Sequence, residues 1–358
     1  KSITATIGRD SLWAQTDAYG SATADLFKLA GGTARLYLGG EYSKQDYKDI
    51  YDSLSEAGEI LGSSGSSAAG SRKVAALTGE ALFPISKVLE TTVAARYEKY
   101  SDYGSDFSPK ASIRYQPQSN LTFRASAGRG FRAPSLPQLY TKPSFSADSV
   151  IDERHCLADG GVDPKKCPTT EFQINGLVIS NPNLKSEKST QFSLGSVWDV
   201  TPAWSLKADY WNTTITNVLT SITAQDIVDR DNGDSPLPIP AALGIKRDAS
   251  GSILQITRGF SNEGTWKFSG LDLSVVFNHK YDALGSFRHE LAVSQMLKRE
   301  EAGQDTNGIL GNPKSRATLN SRWIYGPMEF AWNVNHIGKN SDARGAVGGA
   351  ARARLRPA

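Results

Sequence analysis

Four histidines, two cysteines and a few clustered carboxylates are the groups in this chain that could do chemistry, and their spacing argues against most of it. His155, His279, His289 and His336 are scattered, with no HExxH and no pair at metal-ligand spacing. No GxSxG occurs, so a hydrolase would lack its nucleophile elbow. His289, between Arg288 and Glu290, is the one candidate for a Ser/His pair, and a strand residue near a turn explains it better. Gly128-Arg129-Gly130-Phe131-Arg132-Ala133 fits a dinucleotide fingerprint, with Asp148 and Asp152 about twenty residues on. Pro134 and the polar run after it leave no helix N-terminus for a pyrophosphate. Asp229-Arg230-Asp231-Asn232-Gly233-Asp234 lacks the carboxylate spacing and the closing Glu of a calcium loop. Cys156 and Cys167 have ten residues between them, which allows a disulfide, two thiols or a metal pair with His155. No catalytic, cofactor-binding or metal residues are expected, and the chain does not read as an enzyme.

The elements that would position these groups are strands. From Val88 to Tyr100, Leu89, Thr91, Val93, Ala95 and Tyr97 alternate with Glu90, Thr92, Ala94, Arg96 and Glu98, the period of two that a strand requires. Leu121, Phe123, Ala125 and Ala127 alternate in the same way with Thr122, Arg124, Ser126 and Gly128. So do Leu206, Ala208 and Tyr210 with Lys207, Asp209 and Trp211, and Leu271, Leu273, Val275 and Phe277 with Asp272, Ser274, Val276 and Asn278. One apolar and one polar face suit a transmembrane β-barrel, because lipid cannot satisfy backbone groups and only closed strand pairing can. A soluble sandwich gives the same alternation. Turn lengths separate the two. Tight connections at Gly31-Gly32, Pro84 to Lys87, Pro117 to Asn120, Thr201 to Ala203 and Tyr325 to Pro327 alternate with long polar ones at about Ser43 to Ser71, Gly130 to Lys185, Thr213 to Gly251 and Lys298 to Gly311. A shorter connection falls at Ser101 to Phe107. No stretch of eighteen apolar residues exists, and the balance of 40 basic and 37 acidic residues gives no field for nucleic acid. The Tyr and Trp residues, among them Trp198, Trp204, Tyr210, Trp323, Tyr325 and Trp332, fall near strand ends as interfacial belts would.

Two ordered segments carry a resemblance. Gly128-Arg129-Gly130-Phe131-Arg132-Ala133-Pro134-Ser135-Leu136-Pro137-Gln138-Leu139-Tyr140 leaves a strand, and Asn181-Pro182-Asn183-Leu184-Lys185-Ser186-Glu187-Lys188-Ser189 returns to one. They resemble the GFRAPSLxxLY and NPNLxPExS segments of the TonB-dependent outer-membrane receptors. Ser261-Asn262-Glu263-Gly264 through Ser269-Gly270-Leu271-Asp272 is similar to that family's pattern on a long descending strand. Ser186 stands where the family commonly has Pro, a departure that touches loop geometry. The resemblance covers roughly Leu77 to Gly338 and implies an all-β, antiparallel transmembrane barrel. Roughly thirteen strands of 9 to 12 residues are expected, similar to the sixth to the eighteenth of a 22-stranded, plugged barrel. Residues 1–338 are then a partial receptor barrel, with the plug, its energy-coupling segment (the TonB box), the first strands and the last strands outside this chain. Residues 339–358, with Arg344, Arg352, Arg354 and Arg356 among Gly and Ala, form an atypical tail, truncated or disordered.

The function that the resemblance implies is energy-coupled uptake, across the bacterial outer membrane, of a scarce ligand such as a ferric siderophore, cobalamin, haem or an oligosaccharide. Its partners would be outer-membrane lipid, the inner-membrane energy-coupling complex acting through the plug, and a small-molecule or metal-chelate ligand. A passive or adhesive barrel, and a soluble carbohydrate-binding sandwich, are the alternatives. Ligand sites of this kind combine aromatic platforms with cations, which makes Arg132, Tyr140, Arg154 and His155 the candidates for ligand contact. With both cysteines inside one surface loop of an exported chain, a Cys156–Cys167 disulfide is the expected pairing, worth about 3 kcal/mol in the chain-entropy picture.

Overall fold

The computed structural model of the protein describes residues 5–60, 65–158 and 167–341. The expected Gly/Ala/Arg tail lies outside the described residues from 342 onward. In chain order the elements are β1 (Arg9–Leu29), β2 (Gly32–Tyr51), α1 (Ser53–Glu56), β3 (Ala68–Ser86), β4 (Leu89–Tyr100), β5 (Gly104–Gln118), β6 (Leu121–Arg132) and α2 (Leu136–Tyr140). Next come β7 (Ser144–Ile151), α3 (Glu153–Ala158), β8 (Glu171–Ile179), β9 (Glu187–Thr201), β10 (Trp204–Thr216), β11 (Leu219–Ile222) and α4 (Ala224–Asn232). The rest are β12 (Gly244–Arg247), β13 (Ile253–Asn262), β14 (Thr265–Tyr281), β15 (Gly285–Glu301), β16 (Gln304–Asp305), β17 (Ser315–Tyr325) and β18 (Met328–Ile337).

Thirteen strands make one antiparallel sheet in the order β1-β2-β3-β4-β5-β6-β9-β10-β14-β15-β17-β18, with β16 paired to β15. Sequential neighbours therefore pair, apart from the two places where an insertion leaves the sheet. The register puts Leu121, Trp198, Leu206, Val275, Leu291, Leu319 and Val334 in one row across seven strands. Side chains directly opposite each other in an antiparallel pair share a face, so this row is a single apolar stripe. Val93, Phe123 and Leu273 on that face are 42%, 41% and 45% exposed. Among the described residues no second sheet covers it, whereas a sandwich would require one. One residue out of phase, Arg114, Arg124, Gly195, Asp209, Asp272 and Ser294 form the matching row on the opposite, polar face. There Arg124 grips Asp209 with three hydrogen bonds of 2.7 to 3.1 Å, reaching over the intervening β9. Gly195 makes that reach possible, since a Cβ on it would sit 2.0 Å from the Asp209 Oδ1.

At the short-turn end the chain reverses within two or three residues. Gly285 shows what such a turn demands. Its φ of 79° is left-handed, and a Cβ would lie 2.1 Å from the Ile324 carbonyl oxygen of the next strand but one.

The strands are longer than expected. β1, β2 and β3 run 21, 20 and 19 residues, so both flanks of the expected loop from Ser43 to Ser71 are strand, paired as far as Asp49 with Ala68. The apolar alternation ends earlier because this part carries polar residues on both faces, with Lys44, Asp46 and Lys48 on one and Ser43, Gln45 and Asp49 on the other. Backbone pairing continues where the hydrophobic period no longer marks it.

Two of the other three long connections, Gly130 to Lys185 and Thr213 to Gly251, are also built. β7, β8, β11, β12 and β13 form a second, five-stranded sheet, in which β13 and β8 run parallel. It encloses a core of Val150, Ile174, Ile222, Ala224, Ile227, Val228, Ile253 and Ile256. The barrel sheet is apolar outside and polar inside, whereas this loop module is packed like an ordinary soluble core.

Candidate functional site at the loop end of the barrel

The two sequence motifs meet at the rim. Arg132, the last residue of β6, donates to both carboxylate oxygens of Glu187, the first residue of β9, at 2.6 and 2.7 Å. Glu187 also accepts the Leu219 amide at 2.7 Å, which ties β11 to the same point. Just beyond, Ser135 and Gln138 form a reciprocal capping box that starts α2, with Leu136 and Leu139 turned into a buried contact. Leu139 packs with Leu184 of the returning motif and with Leu219. Asn181 closes the hub: its amide donates to the Gln138 carbonyl at 3.0 Å and its side chain to the Phe260 carbonyl at 3.0 Å.

Beneath the hub lies a cluster that the sequence did not disclose. Arg72 of β3, with its side chain only 6% exposed, donates to Asp102 and to the Pro134 carbonyl, both at 2.7 Å. Its guanidinium also lies 5.3 Å from the Tyr100 ring and 5.6 Å from that of Tyr103. Asp106 is fully buried and accepts from Ser186 at 3.0 Å, from Tyr103 at 2.9 Å and from Lys188. The outgoing motif is thus held at Pro134 and the returning one at Ser186. The Ser186 hydroxyl does work here that a Pro in its place could not.

The ligand candidates fall into two separate surroundings. Tyr140, at the end of α2, covers Gly70 of β3, where a Cβ would come within 2.5 Å of its ring. Arg132 is engaged with Glu187 as described. Both belong to the anchoring of the loops. Arg154 and His155 lie instead in α3 of the loop module. Arg154 donates to Asn232 at 2.7 Å and pairs with Asp231. His155 accepts the Ile253 amide on Nδ1 at 2.8 Å and meets the Phe172 ring edge-on at 4.7 Å. An imidazole nitrogen that accepts an amide carries no proton, so this contact fixes Nδ1 as the unprotonated nitrogen. Cys156, next in sequence, is bonded to Cys167, with Cα atoms 5.5 Å apart.

A charged web joins these pieces. Arg247 of β12 pairs with Asp152 at 2.5 Å and with Asp231 at 2.9 Å, and Asn232 donates to Asp152 at 3.0 Å. Burial alone would push the Asp152 carboxyl up. Arg247, Asn232 and the His155 amide outweigh it and hold it below the ordinary range. The run from Asp229 to Asp234 forms the end of α4, closed by Gly233 in the left-handed conformation, and Asp231 is taken up by the two arginines. One helix of the module and one of the hub had signals in the sequence. Thr223-x-x-Asp226 and Ser135-x-x-Gln138 are both capping boxes, read as polar loop in the sequence.

What this arrangement can do is hold two inserted segments over one end of a polar-lined wall. The family model for the TonB dependent receptor-like β-barrel matches residues 3–355. The chain belongs to that family, whose barrels are outer-membrane proteins. Its fold is similar to that of a ferric enterobactin receptor (PfeA) variant from Pseudomonas aeruginosa solved in complex with enterobactin, at 16% identity and a TM-score of 0.64, covering 92% of this chain and 42% of that one. It is also similar to the siderophore receptor PirA from Acinetobacter baumannii, at 14% identity and a TM-score of 0.63, covering 97% and 46%. The FrpB iron transporter from Neisseria meningitidis gives 13% identity and a TM-score of 0.55, covering 91% and 42%. The chain therefore spans under half the length of these solved receptors. No match was found among curated proteins.

Proposed function

We propose that this chain is the loop-bearing wall of a receptor that takes up a scarce ligand across the outer membrane by energy coupling, and that the ligand is a ferric siderophore. The observation that carries the reading is the loop module, a separately packed sheet clamped to the barrel rim through Arg132–Glu187 and Arg72–Pro134. A passive pore has no need of a rigid platform above its lumen, whereas a receptor must present a preformed surface to a dilute ligand. Siderophores are also what the neighbours PfeA and PirA are described as receiving. Cobalamin, haem and oligosaccharide are the other ligands a receptor of this build could take. The energy-coupling complex would act through a plug carried by the whole receptor.

Uptake of radioiron-labelled enterobactin by cells carrying the whole receptor tests the proposal. Uptake is expected to stop when the proton gradient is collapsed or the coupling complex is deleted. Removing Ser144 to Thr170 is expected to abolish binding while the barrel still inserts, because the module carries specificity and the strands carry the fold. Uptake that survives loss of the gradient would leave a passive barrel as the better reading. Energy-dependent uptake of haem or cobalamin but not of ferric enterobactin would change the ligand and keep the mechanism.

A further inference from the structure

Where β2 to β5 approach the loop end, the apolar band of the outward face stops and lysines begin. Gly40, Leu77, Tyr97 and Phe107 lie opposite one another across these four strands, on the face of Val93, and Leu77, Tyr97 and Phe107 are exposed. One row further from the short turns come Tyr42, Ala75, Lys99 and Ser105, and in the row beyond that Lys44 lies directly opposite Lys73. The spacing of an antiparallel sheet brings the Cβ atoms of Lys44 and Lys73 to about 5 Å, with Lys99 diagonal to Lys73 within about 8 Å.

Among the described residues of β1 to β5, the outward charges beyond the Tyr97 row are Asp10, Lys44, Asp46, Lys48, Lys73 and Lys99. Lys44 pairs with Asp46 at 2.8 Å and Lys48 with Asp10, whereas Lys73 and Lys99, both exposed, enter no ion pair. On β6, Arg129 shares the face of Phe123 and is also exposed without an ion pair. The inner face of the same strands is different, since Arg9, Arg72 and Arg96 each have a carboxylate. Like charges directly opposite destabilise a sheet, and Asp46 offsets only one of the three clustered lysines. Their depth says what meets them. Lys99 is ten residues beyond Leu89 at the short-turn end of β4, which is roughly 33 Å along the strand and, at the tilt of a barrel strand, roughly 25 Å in height, the full apolar band. Long loops mark the extracellular end, so in this outer-membrane wall the lysines lie among the headgroups of the outer leaflet. That leaflet is phosphorylated glycolipid, a glucosamine disaccharide with a phosphate at each end.

We propose that Lys44, Lys73 and Lys99 form a binding site for a phosphate of this outer-leaflet glycolipid, whose acyl chains lie on Leu77, Tyr97 and Phe107 below. A phosphate among the three ammonium groups turns their mutual repulsion into attraction, and Lys suits the task as a compact point charge. The site requires only that the chain is an outer-membrane wall, whichever ligand the receptor takes up.

Native mass spectrometry and thermal unfolding of the whole receptor in detergent test this, with bisphosphoryl lipid A, dephosphorylated lipid A, phosphatidylglycerol and inorganic phosphate as probes. Bisphosphoryl lipid A is expected to bind about tenfold more tightly than its dephosphorylated form or phosphatidylglycerol, and inorganic phosphate to leave Tm unchanged. Lys73→Gln with Lys99→Gln is expected to lose most of that preference. Without lipid this variant should unfold no earlier than the parent, because a repulsion has been removed. Lys73→Arg with Lys99→Arg keeps the charges and should bind as the parent does. If the Gln pair fails to fold, Lys99→Gln alone decides, with an expected loss of about threefold or more. Equal retention of lipid A by the parent and the Gln variant, equal retention of its phosphorylated and dephosphorylated forms, or a preference for phosphatidylglycerol overturns the proposal.

Discussion

Replacing Arg72 with Met tests whether the rim cluster holds the loops. The aliphatic stem is kept, so the loss is chiefly electrostatic. Asp102, 2% exposed, would keep only the Tyr103 amide at 3.0 Å, and the Pro134 carbonyl would lose its donor. Breaking a buried pair by removing one partner costs about 3 to 5 kcal/mol, most of it the uncompensated charge. At about 1.4 kcal/mol for each factor of ten, local opening becomes roughly a hundred to a few thousand times more frequent. Hydrogen exchange of the amides from Gln138 to Thr141 and at Asn181 and Leu184 reads that change, because these amides are bonded within the hub. Strands remote from the rim, such as β17, should be unaffected. The double replacement of Arg72 by Met and Asp102 by Leu removes both charges and should recover much of the protection. Exchange in Arg72→Met within tenfold of the parent would refute the clamp, as would a double variant that opens more than the single one.

Gly195→Ala should weaken the Arg124–Asp209 bridge and cost about 1 to 3 kcal/mol in urea unfolding from lipid vesicles, since its Cβ would strike Asp209, whereas Gly20→Ala, with nothing within 4 Å, should be close to neutral. Protein isolated from the envelope should alkylate at Cys156 and Cys167 only after reduction, with the mass change read by mass spectrometry. Asp152 is held below its ordinary value in the fold, so its contribution to the module is present above the unfolded carboxylate range near pH 4 and is lost as pH falls through the folded pKa. Exchange protection of β12 and α3 should therefore drop below about pH 4 in the parent and become flatter in Asp152→Asn. Asp229, which burial and its acidic neighbours hold up, works in the opposite direction and is lost as pH rises, so the comparison with Asp152→Asn isolates the Asp152 part.

The barrel was legible because lipid imposes a strict rule on the strands that cross it: one face apolar, one polar, with every backbone group paired. Leu89, Val93, Leu121, Phe123, Leu206, Leu273 and Val275 were assignable to one face from their period of two, and the register places all of them there. The order of the two rim motifs likewise identified the family. The extensions of β1 to β3 were hidden because, with polar residues on both faces, strand pairing leaves no hydrophobic period to read. Arg132 and Tyr140 were visible as residues of unusual type but not in their role, since salt-bridge partners such as Glu187 lie 55 positions away. The buried ties of Arg72 to Asp102 and of Asp106 to Ser186 span 30 and 80 positions. Local sequence determined the alternation, the turns and the helix caps, which depend on a residue and its near neighbours. Only the tertiary pairing of the strands and the arrival of the loops at the rim decided which charges meet, because a buried ion pair is a property of the place where two segments arrive together.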